Sequence, residues 1–176
     1  MRPTVCAEIN EFYGLNLSPA DITEWDFANH HLDPQQYQHF IANGLHRDKT
    51  ILAAVPFAGA AETLADWHNQ GAAIHIVTHR AAARLAATRI WLSNHGIPYD
   101  KLVCHPFIDK FAYAHEQDLN LVIDDKPALL EQCATEGMRA GTISLPYHQA
   151  ILSRFPQIVA GADWPELSAR LAAAGV

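Results

Sequence analysis

The segment from Leu119 to Pro127, which reads LNLVIDDKP, constrains the fold of this chain more than any other stretch. Its apolar run ends in two adjacent carboxylates, Asp124 and Asp125, and the proline that follows can open a helix. An apolar run of this length with such boundaries predicts a buried strand. Because ligands bind at the carboxyl edge of open α/β sheets, we expect the two acids to lie at a binding edge.

The two adjacent acids also predict something about their surroundings. Like charges side by side repel, and burying them without a partner costs free energy. We therefore expect a cationic side chain close to Asp124 and Asp125. From this segment alone, an exposed turn whose two acids cap the next helix is at least as good an interpretation as a binding site.

Short apolar runs and helical patterns alternate from Ala58 to the end of the chain. Such alternation implies parallel strands joined by right-handed crossovers, so we predict an α/β fold of three layers. The predicted strands are AAIHIV before Thr78, Leu102–Cys104, Asn120–Ile123 and Ala140–Leu145. The predicted helices are one around Leu64 and Trp67, then Ala81–His95, Lys110–His115, Pro127–Thr135 and one behind Asp163 and Pro165.

The first fifty residues contain no convincing strand. Apolar residues at helical spacing begin at Val5, and Ser18–Asp21 and Asp33–Gln36 each carry the N-cap, first-turn proline and third-position acid or amide of a helix start. We therefore predict a small helical cap over residues 1–57 in front of an α/β core over residues 58–176, within one structural domain.

The composition allows one domain and disfavours several kinds of partner. The chain has 176 residues, 49% of them hydrophobic, which is enough for one full core. A net charge of −7 offers no basic stripe for a nucleic-acid polymer, whereas a small phosphorylated ligand is compatible with it. No apolar segment has the length of a membrane span and no signal peptide is visible, so we expect a soluble, cytoplasmic protein.

Cysteines and histidines form no recognisable disulfide or zinc pattern. Cys6, Cys104 and Cys133 are far apart and lack CxxC spacing, so we expect reduced thiols in the core. The eleven histidines include no HExxH motif, which disfavours a zinc site.

Side chains that suit phosphate chemistry fall at or beside the ends of the predicted strands. Thr78 follows the first predicted strand. Lys110 lies ahead of the third predicted strand, and Asp124 and Asp125 follow the end of that strand. Because the carboxyl ends of parallel strands share one edge of the sheet, these groups can converge. A hydroxyl and a lysine hold phosphoryl oxygens, while carboxylates suit Mg²⁺. Arg80 can bind a substrate phosphate bidentately, or form a surface ion pair instead.

Three segments resemble, in order, motifs of a known family. IHIVTHR, DKFAYAHE and LVIDDKP are similar to motifs two, three and four of the haloacid dehalogenase superfamily of phosphohydrolases, whose sheet is Rossmann-like. The flanking PFAGAAETLADWHNQG, TRIWLSNHGIPYDKL and LPYHQ resemble its cytosolic 5′(3′)-deoxyribonucleotidase branch. The resemblance implies that Thr78 binds the transferring phosphoryl group, Lys110 stabilises it, and Asp124 or Asp125 ligates Mg²⁺.

The first motif of the resembled family is missing. That motif, DxDGV at the end of a central strand, supplies an aspartate nucleophile and a second aspartate as general acid and base, and the matching segment here begins at Arg2 without it. We expect the central strand between those ending at Thr78 and Asp124 to be absent, the chain as given to be inactive, and Mg²⁺ binding to be weak or absent. Either an internal start codon has left out an upstream strand, or the chain is a remnant that closes its sheet differently.

None of the acids of the cap replaces the missing nucleophile. Asp21, Asp26 and Asp33 lie in predicted cap helices or loops and do not follow a strand. Four cap aromatics are candidates for stacking a nucleotide base, although plain packing within the cap is the more economical interpretation. They are Trp25, Phe27, Tyr37 and Phe40.

The sequence leaves more than one function open. The first hypothesis is a Mg²⁺-dependent phosphomonoesterase that acts on a nucleotide or another small phosphate ester through an aspartyl-phosphate. The alternative is a non-catalytic module that holds a phosphorylated ligand through Thr78, Arg80 and Lys110. A receiver-type signalling domain uses similar side chains, but there the acids come early in the chain. An open central region would also allow association into a homo-oligomer through strand edges.

Overall fold

The fold is an α/β arrangement of parallel strands and helices, as predicted. The structure is a computed structural model, and it describes residues 2–21, 23–26, 28–43 and 47–175. Its strands are β1 (His75–Thr78), β2 (Lys101–Cys104), β3 (Leu121–Ile123), β4 (Arg139–Ile143) and β5 (Val159–Gly161). Every ladder between them is parallel. The predicted fold class is therefore confirmed.

Helices surround the strands and fill the N-terminal third of the chain. None of the described helices is long and apolar enough to cross a membrane. The helices are α1 (Arg2–Tyr13), α2 (Ala28–His31), α3 (Pro34–Asn43), α4 (Asp48–Ala53), α5 (Ala60–Asn69), α6 (Leu85–Asn94), α7 (Lys110–Glu116), α8 (Pro127–Thr135), α9 (Gln149–Arg154) and α10 (Trp164–Ala173), with 3₁₀ turns at Pro19–Asp21, Ala82–Arg84 and Pro146–His148.

The strands form two sheets rather than one. β1 pairs with β2, with Thr78 opposite Cys104, and a second sheet has the order β3-β4-β5. In the described part of the chain, no strand pairs with the outer edge of β1 or of β3. Among the described residues no ladder joins β1 to β3, the two strands between which the sequence predicted that a central strand is absent.

The strands β1 and β3, which each have an unpaired edge, are less buried than β4. All residues of β1 and β3 are half-buried, whereas Ala140 to Ile143 of β4 are buried. The prediction that the two strands before Thr78 and Asp124 are buried was therefore wrong. A strand is fully covered only when it has neighbours on both sides as well as helices on its faces, and these two strands each have one neighbour.

Helices cover both faces of the three-stranded sheet. On one face, Leu130 and Cys133 of α8 pack against β4 together with Ile151 of α9. On the other face, Leu167 and Leu171 of α10 pack against the same strands. This gives the three predicted layers, and strand β5 and helix α9 are additions that the sequence analysis did not predict.

The two sheets are joined by their helices. The rings of Trp67 on α5 and Trp164 on α10 lie 6.0 Å apart, and the Trp67 Nε1 hydrogen donates to Ser168 Oγ at 3.0 Å. The Tyr113 hydroxyl on α7 also lies 3.1 Å from Nδ1 of His75 on β1. Side-chain contacts therefore hold together two sheets that share no backbone ladder.

The N-terminal helices have a small core of their own. Buried side chains of α1 to α3 pack there, among them Ile9 and Phe40. Asp33 caps α3 as predicted, because its Oδ1 accepts the amide hydrogen of Gln36 at 2.8 Å and Gln36 Oε1 accepts that of Asp33 at 3.1 Å. The helix predicted at Ser18 is only a 3₁₀ turn. The Asp21 carboxylate closes this turn by accepting both the amide and the hydroxyl hydrogens of Ser18.

Helix α4 ties the N-terminal helices to the α/β core. It packs against α1 on one side and α6 on the other. The indole hydrogen of Trp91 on α6 donates to the Ala54 carbonyl at 2.6 Å. The division into a cap over residues 1–57 and a core over residues 58–176 stays a prediction, and α4 makes contact across it.

We predict that Gly161→Ala destabilises the protein strongly. A Cβ at Gly161 would lie 2.3 Å from the backbone nitrogen of Leu167, so α10 would have to move away from β5. We expect the free energy of unfolding to fall by about 3 kcal/mol, within the range of overpacked cores. Chemical denaturation followed by circular dichroism measures this change.

Gly141→Ala is the matched control for that substitution. A Cβ at Gly141 on the neighbouring strand would come closest to the end of the Leu167 side chain, at 3.3 Å, and would lie at ordinary contact distances of 3.5 Å from Ile123 Cγ1 and 3.6 Å from the Val159 carbonyl oxygen. We expect a change below about 1 kcal/mol, because a side-chain tip can shift where a helix backbone cannot. Equal stabilities of the two variants would contradict the close approach of α10 to β5.

Candidate active site

The cation predicted beside the paired acids is Lys110. Its Nζ lies 2.7 Å from Asp124 Oδ2, and the two side chains are 21% and 10% exposed. Lys110 is the first residue of α7, where the Asp109 carboxylate caps the helix by accepting the amide hydrogen of Ala112 at 3.0 Å. Asp124 directly follows β3. The pair therefore joins the helix after the first sheet to the end of a strand of the second sheet.

Both oxygens of the Asp124 carboxylate are engaged. Oδ2 accepts from Lys110, and Oδ1 accepts the backbone hydrogen of Lys126 at 2.8 Å. The Asp124 amide itself donates to the Gly141 carbonyl of β4 at 3.2 Å. These contacts fix the orientation of Asp124 and compensate its charge.

Thr78 and Arg80 lie at the carboxyl end of β1, in the other sheet. The Thr78 hydroxyl oxygen accepts the Arg80 amide hydrogen at 3.4 Å, which is a weak contact. The Arg80 guanidinium donates to Thr88 Oγ1 at 3.2 Å and has no carboxylate partner among the described residues. Burial lowers the pKa of Arg80, and the nearby Cys104 thiol acts in the opposite direction. A half-buried cation without a counter-ion favours an anionic ligand at this edge.

Asp125 differs from Asp124 in its exposure and in its contacts. It is exposed, and its Oδ2 accepts the Tyr147 hydroxyl hydrogen at 3.4 Å. Its backbone carbonyl lies 2.9 Å from Nε2 of His148, which is fully buried. Because a carbonyl only accepts, His148 Nε2 carries the hydrogen and donates it.

His148 is a residue that the sequence analysis missed. Its second ring nitrogen, Nδ1, lies 3.3 Å from the Leu145 amide nitrogen and 3.2 Å from the Ile143 carbonyl oxygen. The ring thus connects the loop after β4 to the loop that carries the paired acids. The sequence showed only the segment LPYHQ, in which nothing distinguishes this histidine from a surface one.

A cavity of about 390 Å³ opens beside Lys110 and Lys126. This volume falls in the range of small-ligand sites. His79 also lines it, and His79 Nε2 lies 2.9 Å from the Ile108 carbonyl, which steadies the loop before Lys110. The remaining lining residues are Phe107, Ile108, Asp109, Ala128, Leu129 and Gln132.

Among the cap aromatics that the structure describes, Trp25 is the one that contacts a lining residue of the cavity. Lys126 Nζ lies 5.4 Å from the centroid of the Trp25 ring, and Trp25 is 41% exposed. The Tyr37 hydroxyl donates to Asp26 Oδ1 at 3.0 Å, and burial together with Asp26 raises the pKa of Tyr37 to about 12. Phe40 is buried in the core of the N-terminal helices. Phe27 lies outside the described residues.

The side chains present do not fit a Mg²⁺ site. Asp124 and Asp125 are the predicted ligands, but Lys110 and the Lys126 amide occupy the two oxygens of Asp124. Among the described residues, no three His, Cys, Asp or Glu side chains come close enough together to hold a metal ion. Mg²⁺ prefers a shell of oxygen ligands with near-ideal octahedral geometry, and of the two predicted ligands only the exposed Asp125 carboxylate is left to supply it.

Comparisons with known proteins place this geometry in context. A family model described as "5' nucleotidase, deoxy (Pyrimidine), cytosolic type C protein" matches residues 3–159. A Bacillus cereus protein named "Putative nucleotidase" is 30% identical over 115 residues, which cover 64% of this chain and 58% of that protein. The match thus spans little more than half the length of this curated relative. No solved structure matches the chain.

We predict that His148→Leu destabilises the protein more than His148→Gln. Leucine leaves the Asp125 carbonyl without its donor, and a buried unsatisfied polar group costs about 1 to 3 kcal/mol. Glutamine keeps a hydrogen-bond donor, so we expect it to recover at least half of the loss. Thermal and urea unfolding of both variants measure this, and identical stabilities for leucine, glutamine and the wild type would contradict it.

Proposed function

Because this chain belongs to the family of cytosolic type C 5′-nucleotidases, as its motifs predicted, we propose that it binds the phosphate group of a small ester such as a nucleotide. The observation that carries the proposal is the Lys110–Asp124 pair at the carboxyl edge, beside a cavity of about 390 Å³. The pair neutralises the buried acid, so the anionic ligand does not meet two uncompensated carboxylates.

The cations of this edge support an anionic ligand. Arg80 has no carboxylate partner among the described residues, and Lys110 still has two ammonium hydrogens beyond the one given to Asp124. The Thr78 hydroxyl is engaged only in a weak contact. In the proposed complex, Thr78, Arg80 and Lys110 bind phosphate oxygens, as the sequence predicted.

We further propose that this chain of 176 residues does not hydrolyse the ester it binds. Hydrolysis in this family would proceed by attack of an aspartate on phosphorus, departure of the alcohol with a proton, and attack of water on the acyl-phosphate. Asp124 is held by Lys110 and the Lys126 amide. Asp125, the other carboxylate that follows β3, is exposed and accepts the Tyr147 hydroxyl hydrogen at 3.4 Å.

A strand between β1 and β3 would complete such a site. In the described part of the chain, each of these two strands has one edge without a ladder partner, and their residues are half-buried. A strand inserted there would end between Thr78 and Asp124, at the position where a nucleophile would meet the bound phosphate. Because of this placement, we propose that a further strand completes an enzyme, and we prefer this to a pure binding module.

We predict binding without turnover for the chain as it stands. Calorimetry with deoxyuridine 5′-monophosphate and with deoxyuridine should show an affinity at least tenfold higher for the monophosphate, since charge-assisted hydrogen bonds to phosphate contribute about 1.5 to 3 kcal/mol. A phosphate-release assay should stay at the level of buffer. Phosphate release above that level would contradict the inactivity, and the absence of binding would contradict the ligand class.

Thr78→Val separates the site from the fold in the same assay. Valine has nearly the shape of threonine and removes only a hydroxyl with one weak contact, so we expect an unchanged unfolding temperature. The monophosphate affinity should fall about fivefold, as expected for one hydrogen bond of about 1 kcal/mol. An unchanged affinity would remove Thr78 from the proposed site.

A peptide that supplies the further strand distinguishes the proposed enzyme from a binding module. An extended apolar peptide that ends in Asp-x-Asp should bind the edges of β1 and β3, and phosphate release should then appear in the presence of Mg²⁺. A control peptide that ends in Asn-x-Asn should bind and give no release. If the Asp-x-Asp peptide binds without release, the chain is a phospho-ligand binding module.

A further inference from the structure

Lys126 is a cation of the cavity whose side chain has no acidic partner among the described residues. Its backbone hydrogen holds Asp124 Oδ1 at 2.8 Å, which leaves the ammonium group for other contacts. Lys110, by contrast, places its ammonium 2.7 Å from Asp124 Oδ2. The two lysines line the same cavity, one bound to a carboxylate and the other not.

The contact that the Lys126 ammonium does make is with the N-terminal helical part of the chain. Its Nζ lies 5.4 Å from the centroid of Trp25, an exposed tryptophan between the 3₁₀ turn at 19–21 and α2. A cation above an exposed aromatic ring is held more weakly than one hydrogen-bonded to a phosphate oxygen. A phosphate in the cavity therefore gains this ammonium without separating it from a carboxylate.

We propose that Lys126 is a second phosphate-binding cation of this site, and that Trp25 is a positioning residue that holds its ammonium at the cavity. The proposal rests on the proposed function, because it names a further contact of the same ligand. Lys126 binds the phosphate directly and increases the preference for a phosphate ester over the free alcohol. Trp25 acts through Lys126 and connects the N-terminal helices to the ligand.

Calorimetry on three lysine variants tests the role of Lys126. We expect Lys126→Met to weaken deoxyuridine 5′-monophosphate binding about tenfold and to leave deoxyuridine binding unchanged. Lys126→Arg keeps a cation and should stay within about threefold of the wild type. Lys101→Met removes the same charge from an exposed lysine at the first residue of β2, the opposite edge of the sheet, and should have no effect.

A double-mutant cycle tests the positioning role of Trp25. Trp25→Leu should weaken monophosphate binding about threefold in the wild type and should have no further effect in the Lys126→Met background. Trp25→Phe keeps an aromatic ring and should restore most of the affinity. A loss of deoxyuridine affinity in Trp25→Leu, or additive losses in the double variant, would overturn the positioning role, because the ring would then contact the ligand itself.

The outcomes separate this inference from the proposed function. If the wild type binds the monophosphate and Lys126→Met binds it equally well, the role of Lys126 is overturned while the proposed function stands. If the wild type binds neither the monophosphate nor inorganic phosphate, both are overturned. A tenfold loss in Lys126→Met that Lys126→Arg recovers, with Lys101→Met unchanged, supports the inference.

Discussion

The ion pair between Lys110 and Asp124 is the contact on which the rest of the site depends. It joins the first turn of α7, which follows the first sheet, to the end of β3 in the second sheet. Both side chains are mostly buried, and a buried pair returns in attraction roughly what it lost in hydration. Its main contribution is therefore to position the two sheet edges, and removing Lys110 would leave Asp124 buried without a counter-charge.

The open edges of β1 and β3 explain why so much depends on side chains. A continuous parallel sheet would connect these strands by backbone hydrogen bonds. The connections that the structure describes instead include the Trp67–Trp164 contact, the Tyr113–His75 contact and the ion pair. Unpaired strand edges invite another strand to bind, within a longer chain or between copies. The unpaired edges of β1 and β3 are thus the positions where the further strand of the proposed enzyme would bind.

Local signals predicted most of the fold, and long-range contacts set the limits. Asp33 and Asp163 cap their helices and Pro127 opens α8, because each acts on residues within one turn. Strand β5 reads VAG, and alanine and glycine are poor strand formers, so its sequence carries little strand signal. β1 and β3 are half-buried because each has only one neighbouring strand among the described residues. The sequence of a strand does not indicate how many neighbours it will have.

The site was predictable to the same extent and for the same reason. The contact between Lys110 and Asp124 was predicted because strand ends in a parallel sheet share an edge, so their order along the chain implied their meeting. His148 and the contact between Trp25 and Lys126 depend on how separate segments pack. Residues so far apart in sequence carry no common pattern, and only the folded chain brings them together.

The charged side chains around the cavity determine what a further strand would change. Among the described residues, Lys110 and Lys126 line the cavity together with the Asp109 carboxylate, and Lys110 is paired with Asp124. A strand ending in Asp-x-Asp, as in the proposed enzyme, would add two negative charges to this set. Binding of the phosphate would then require a further cation, and the added carboxylates are the oxygen ligands that Mg²⁺ prefers. On this argument, the further strand of the proposed enzyme would supply both the nucleophile and carboxylates for a Mg²⁺ ion.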